Sequence, residues 1–362
     1  MKSFTIKTPK GLRKIGAGHP CFVIAEMSAN HGQNYEKAVE IVKAAAEAGA
    51  DAIKLQTYTP DTMSIDSDKP WFFVGGKENP EAWKGKNFYN LYKTAFTPWE
   101  WHAKLKKLAE SLGMVFFSTP YDATAVDFLD KLNVPLIKVA SYEATDIPLL
   151  TKIAKTGRPV IMSVGFATLP EIKLSIETLR KGGVKNLAVL HCVTSYTDKP
   201  SVEFSNLKTI DALRNKFGVV AGFSDNNFGI DVPVLAAAMG ASVVEKHIVV
   251  GDDEKALDKR FSLGGDDFKK MVDAIRKNEM IMGKVSYGTQ TEAEKYNRGF
   301  RRSLFVTENM KKGEKFTAKN VRSIRPADGL EPKYYEDILG KKATKDIERG
   351  TPLAWGLIVR KK

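Results

Sequence analysis

Short apolar runs alternate with amphipathic helical stretches through the first three-quarters of the chain. The runs are Cys21–Ala25 (CFVIA), Ala52–Leu55, Met114–Phe117, Leu136–Val139, Val160–Met162, Leu187–Leu190, Val219–Gly222 and Val243–Glu245. Continuous apolar runs this short read as strands of a buried parallel sheet. Helical periodicity fills the intervals. Tyr35 to Ala48 ends at Gly49, a helix lies near Trp99–Leu112, and Asp231 to Met239 ends at Gly240, where a left-handed C-cap fits. A last helical pattern follows Gly264. Eight βα units over roughly 260 residues predict a (β/α)8 TIM barrel. A doubly wound sheet is the alternative, but no GxGxxG turn follows the first run.

Two stretches break the pattern. The insertion between Tyr58 and Pro98 is rich in aromatics, Gly and Lys, and loops so long are functional or disordered. It reads equally as a lid over the barrel mouth or as a passive excursion. Gly283 to Asn297 is polar and without periodicity. From Phe300 short strand-like runs alternate with turns. The predicted organisation is a barrel over residues 1–283, a linker over 284–299 and a small, mostly β domain over 300–362.

Composition narrows the function classes. The chain has 362 residues, 43% of them hydrophobic, enough for a large core. No apolar run reaches the ~20 residues of a membrane span, and the N-terminus lacks the apolar core of a signal peptide. Cys21 and Cys192 both fall in strand-like runs, which predicts buried thiols in a cytoplasmic protein. Lys and Arg number 56 against 43 Asp and Glu, a net charge of +13. The basic residues are dispersed among acids, so the excess points to a small anionic ligand, with neither nucleic acid nor membrane as partner.

Candidate chemistry collects at the carboxyl ends of the predicted strands, where parallel α/β folds place their sites. The set runs from Glu26, Ser28, Asn30 and His31 on the first strand to Ser224, Asp225 and Asn226 on the seventh and Glu245, Lys246 and His247 on the eighth. Lys54 and Lys138 interrupt apolar runs, and a buried ammonium must be paired or neutralised. Three readings stay open: a Schiff-base lysine, a pair of cations holding a phosphate or carboxylate, or structural ion pairs with Glu26 or Glu143. His247 is a core side chain or a metal ligand. Asp258 binds a substrate hydroxyl or is a solvated surface charge.

The motifs VIAEMSANHGQ, AIKLQTYTPDTM, FFSTPYD, IKVASYEATD, HCVTSY, GFSDN, VEKH and DKRFSL, in this order, resemble the sialic acid synthase family over nearly the whole chain. The stretch beyond Phe300 resembles that family's antifreeze-like (SAF) domain. EMSANH, TYTPDTM and the aromatic insertion look most like its pseudaminic acid synthases. The resemblance implies condensation of phosphoenolpyruvate with an N-acetylated amino-sugar aldehyde, 2,4-diacetamido-2,4,6-trideoxy-altrose for that subfamily, with release of phosphate. N-acetylneuraminic or legionaminic acid synthesis is the alternative within the family. It further implies a divalent metal, Mn²⁺ by expectation, and a domain-swapped homodimer. Carried over residue by residue, it assigns Lys54, Thr119, Lys138, Ser141, Ser163 and Ser224 to the donor, with Thr194 near its phosphate. Glu26, Tyr196, Asp258 and Arg325 (the last from the second subunit) go to the sugar, and Glu143 to water. The metal falls to His247 and Asn226. The family pattern has histidine where Asn226 stands, so the metal site is expected to be weakened, shifted toward Asp225 or lost, and a metal-impaired, sugar-binding homologue is a third reading.

Overall fold

The computed structural model describes residues 3–75, 83–194, 202–251 and 256–359. The chain divides into two compact units, Met1–Gly283 and Lys284–Lys362. The first opens with a hairpin that the run pattern does not predict. Strands β1 (Ser3–Thr8) and β2 (Gly11–Gly16) pair antiparallel. Phe4, Ile6 and Ile15 are buried while Thr5, Lys7 and Lys14 are exposed. The period of two was present in the sequence, but over too few apolar residues to stand out.

The eight predicted runs become strands β3 (Phe22–Glu26), β4 (Ala52–Thr57), β5 (Val115–Pro120), β6 (Ile137–Val139), β7 (Val160–Ser163), β8 (Leu187–Cys192), β9 (Val220–Asp225) and β10 (Val243–Val249). Each pairs parallel with the next, and β10 pairs with both β9 and β3, which closes the barrel. A two-residue strand, β11 (Leu263–Gly264), pairs parallel beside the end of β10. The helices between strands bury one face each. In Tyr35–Glu47 that face is Ala38, Ile41, Val42 and Ala45, and the Asn34 side chain caps the helix by accepting from the Lys37 N–H.

Alternation along the strands fills the interior in layers. Ile24, Phe117, Leu136, Ile161, Leu190 and Val243 are fully buried and lie two residues before the polar groups at the strand ends. Gly222 occupies the same layer because nothing larger fits. A Cβ there would lie 2.3 Å from the Val243 carbonyl oxygen and 2.7 Å from Leu190 Cδ2.

The described parts of the 59–98 insertion are ordered. The helix Phe88–Ala95 is capped by the Asn87 side chain, whose other end bonds the Ser67 carbonyl. The stretch expected as a linker carries a helix, Glu292–Arg298, entered through a capping box of Thr291 and Glu294. In the second unit, β12 (Ser303–Val306) and β13 (Val321–Ile324) pair antiparallel, and isolated bridges such as Met310 with Ile347 add to them. Leu304, Val306, Phe316, Val321, Ile338 and Leu353 form this unit's own small core.

Gly222→Ala should destabilise the barrel by about 3 kcal/mol, the upper end of overpacking costs. The thermal unfolding midpoint checks this; a midpoint equal to the parent's would show that β9 and β10 have room to separate.

Candidate active site

Residues two apart on a strand share a face, and this decides which strand-end groups meet. The inward set comprises Glu26 and Ser28, Lys54 and Gln56, Tyr121, Lys138, Ser163, Cys192, Ser224 and Asn226, and Glu245 and His247. All line one cavity of about 720 Å³. The alternate residues point away from it. Ser118 bonds Thr57 at 2.7 Å, which in turn meets His102. His191 bonds the Ser205 carbonyl at 2.8 Å, and His31 meets Thr97 at 3.0 Å. Asp225 is paired with Lys246 at 2.6 Å behind the barrel wall. It is therefore no substitute ligand for Asn226, because one position along a strand reverses the face.

Four buried charges form an alternating row on the cavity floor: Glu26, Lys54, Glu245 and Lys138. Glu26 and Lys54 face each other across β3 and β4 in direct contact. Lys54 lies 4.0 Å from Glu245 Oε2, and Lys138 lies 3.6 Å from Glu245 Oε1. Hydroxyls complete the row. Lys54 donates to Thr119 Oγ1 at 3.1 Å, Lys138 to Ser163 Oγ at 2.8 Å, and Ser224 Oγ to Glu245 at 3.0 Å. The lysines are thus ion-paired, Lys138 with Glu245 and not with Glu143. Glu245, to which the sequence attached no role, bridges both.

Burial works against the charge on Lys54, but Glu245 and Glu26 together hold its pKa above the ordinary lysine value. Burial lowers Lys138, against the pull of Glu245. Glu26 is raised to about 7, by burial against the pull of Lys54. Glu245 stays below the usual carboxylate range because the two ammoniums outweigh its burial.

Glu143 lines the cavity at the start of the loop after β6. Burial raises its carboxyl to about 7, and its Oε2 is buried without a hydrogen-bond partner. Ser141 lines the cavity too and accepts from the Gly165 N–H at 3.1 Å. Asp258 is only 8% exposed and accepts from Ser28 Oγ, which rules out a solvated surface charge. Burial raises its pKa. Thr194 lies 3.5 Å from Cys192 Sγ, outside the cavity lining. Tyr196 lies outside the described residues, and Arg325 belongs to the second unit.

His247 and Asn226 offer a nitrogen and an oxygen at the ends of adjacent strands. His247 Nδ1 is buried without a partner, and burial, with Lys54, Lys246 and Lys138 nearby, keeps the ring neutral. The Asn226 amide nitrogen is spent on the Val193 carbonyl at 3.2 Å and on Cys192 Sγ at 3.6 Å, which leaves its oxygen as the free donor. Among the described residues no cluster of three or more His, Cys, Asp or Glu is placed to hold an ion. The two donors suit an open site completed by water and ligand oxygens, with borderline to hard metals favoured by one imidazole and one amide oxygen.

The insertion roofs the cavity. Phe88, Leu91, Tyr92 and Ala95 line it from one helix, at the i, i+3, i+4, i+7 spacing of a single face. Tyr58 meets Tyr92 and Tyr121 edge to face at 5.6 and 5.3 Å between ring centroids. The described residues of this segment thus form part of the cavity wall, which the passive-excursion reading does not allow for.

Residues 41–287 match the NeuB family and residues 301–359 match the SAF domain. The chain is 42% identical over 332 residues to the pseudaminic acid synthase of Campylobacter jejuni subsp. jejuni serotype O:23/36, covering 92% of this chain and 95% of the relative. It is 39% identical over 335 residues to that of Helicobacter pylori, covering 92% and 97%. Among solved structures, the N-acetylneuraminic acid synthetase of Leptospira borgpetersenii superposes with a TM-score of 0.69 at 29% identity, covering 82% of this chain and 96% of that one.

Glu245→Ala should cost about 3–5 kcal/mol of stability, since it leaves two buried ammoniums facing one carboxylate. Denaturant unfolding checks this; a loss below about 1 kcal/mol would mean that water enters and screens the floor.

Proposed function

The chain belongs to the NeuB family, and on that premise we propose that it condenses phosphoenolpyruvate with an N-acetylated amino-sugar aldehyde to give a nonulosonic acid and phosphate. Its similarity to the pseudaminic acid synthases favours 2,4-diacetamido-2,4,6-trideoxy-altrose as the acceptor and pseudaminic acid as the product. The observation that carries this reading is the union of a charged floor and an apolar roof in one cavity.

The donor is multiply anionic, and Lys54 and Lys138 bind it while Thr119 and Ser163 hold their ammoniums in place. Ser141 and Ser224 contribute hydroxyls to its phosphate, with Thr194 close by. Glu26 and Asp258 take acceptor hydroxyls, together with Tyr196 and with Arg325 contributed by a second copy of the chain in a homodimer. A carbon–carbon bond forms between donor C3 and the aldehyde carbon. Water adds at donor C2, Glu143 takes one of its protons and returns it to the alkoxide left on the aldehyde oxygen, and the C2 hydroxyl then collapses to the ketone as the C–O bond breaks and phosphate leaves with the second proton. With its carboxyl near 7, Glu143 can accept a proton and return it at neutral pH. NeuB-family synthases are generally metal-dependent. His247 Nδ1 and Asn226 Oδ1 would hold the ion, Mn²⁺ being the expected one, and it would polarise the aldehyde oxygen.

The apolar face of the helix Phe88–Ala95 suits the methyl groups of a deoxy, diacetamido sugar. The chain should release phosphate from phosphoenolpyruvate only when an amino-sugar aldehyde is present. Its kcat/KM for the trideoxy sugar should exceed that for N-acetylmannosamine by about 10- to 100-fold, the usual reach of an apolar pocket. Leu91→Asn should shrink that ratio and leave the KM for phosphoenolpyruvate unchanged. Equal use of both sugars would argue for the alternative family activities, and phosphate release from neither would sink the synthase reading.

A base must be ionised to act, and the Glu143 carboxyl is protonated below its raised pKa. Turnover should therefore fall as pH drops through about 7 and level off above it. Glu143→Gln should lose roughly 10²- to 10⁴-fold in kcat and, with it, that limb of the profile. A limb unchanged in the variant would assign the titration to another group.

A further inference from the structure

Behind the barrel wall, on the strand faces opposite to the cavity, lies a second buried charge cluster that the proposed reaction does not use. Lys246 and Asp225 are register partners on β10 and β9, at 0% and 1% exposure. Lys246 Nζ sits 2.6 Å from Asp225 Oδ2 and also donates to the Asn227 carbonyl. Asp225 Oδ1 accepts from the Asn227 backbone N–H at 3.2 Å and from its side-chain amide at 2.7 Å. That amide also reaches Ser205 Oγ at 3.4 Å. A buried pair with this many bonds is weak evidence for stability, because a well-packed apolar pair of similar volume often does as well or better. Its placement suggests another use.

Each partner stands between two cavity residues, Asp225 between Ser224 and Asn226, and Lys246 between Glu245 and His247. A strand residue cannot turn without carrying its neighbours, so a bond that fixes the outward side chain also fixes the aim of the inward ones. The Ser224–Glu245 hydrogen bond joins the same two strands from the inner side. Asn226 already lies beyond the end of β9. The bond from Lys246 to the Asn227 carbonyl ties the loop back one residue later, so Asn226 stays pointed inward. We propose that Lys246 and Asp225 are positioning residues for the site: their ion pair, completed by Asn227, sets the orientation of Ser224, Asn226, Glu245 and His247.

The proposal builds on the synthase reading, so phosphate release by the unaltered chain is measured first, and a failure there counts against that reading alone. The test compares the unaltered chain with Lys246→Met/Asp225→Asn, which removes both charges together, and with Asn227→Ala, which leaves the ion pair in place. Melting midpoint, kcat and the KM for phosphoenolpyruvate are recorded for each. Crystal structures of the variants report the Asn226–Val193 hydrogen bond without reference to activity. Positioning predicts a double variant that melts within a few degrees of the parent, loses about tenfold or more in kcat with a smaller change in KM, and no longer makes that bond. A folded double variant with kcat within about twofold of the parent and the bond intact overturns the proposal. Should the double variant not fold, Asn227→Ala decides. A kcat loss of about three- to tenfold at an unchanged melting midpoint supports positioning, and an unchanged kcat with Asn226 still on Val193 overturns it.

Discussion

The row Glu26–Lys54–Glu245–Lys138 is the constraint around which the barrel interior is arranged. Four ionisable groups at or below 5% exposure sit directly above an apolar layer. No one of them could be ionised there alone. Alternation of sign makes the row tolerable: Lys54 lies between two carboxylates and Glu245 between two ammoniums. An apolar filling of the same space would be as stable or more so. The row therefore makes sense as a site held ready for charge. An anion arriving at Lys54 and Lys138 competes with Glu26 and Glu245 for them. The raised Glu26 carboxyl is the member able to yield, by taking up a proton.

The same alternation that makes a strand two-faced divides labour among neighbouring residues. Ser224-Asp225-Asn226 and Glu245-Lys246-His247 both run in, out, in. The inner members meet the ligand space and the outer members meet each other. A barrel wall one residue thick can thus carry a polar site on one surface and its bracing on the other, with both specified by three consecutive residues. Glycine at 222 belongs to the same logic, because close approach of β9 to β8 and β10 is what brings Ser224 within reach of Glu245.

Much of this was legible in the chain. The eight runs and their order pointed to the barrel, because continuous apolar runs separated by 3.6-periodic segments have few other solutions, and the polar groups at their ends pointed to the place of its cavity. The face of each polar group was also available, through the period of two, yet the strand-end set includes Asp225 and Lys246, which face away from the mouth. Partners across the ring were not available. Lys138 on β6 and Glu245 on β10 are four strands apart around the barrel and meet only because it closes. Sequence separation carries no trace of such a contact. The β1–β2 hairpin stayed hidden for a different reason, having only three buried apolar side chains to mark it.

Floor and roof make incompatible demands on any single small ligand. The floor offers ammonium groups and hydroxyls, and only a compact anion satisfies them. The roof offers the face Phe88, Leu91, Tyr92 and Ala95, which would lie against a core in an ordinary amphipathic helix but here borders open space. An anion pressed against that face would gain nothing from it, and an apolar group on the floor would strip water from four charges and offer them no hydrogen bond in return. A cavity of about 720 Å³ has room for both kinds of ligand at once. Its two chemistries are each satisfied only when an anionic molecule below and a molecule with apolar substituents above are present together, which is the arrangement that a condensation of two substrates requires.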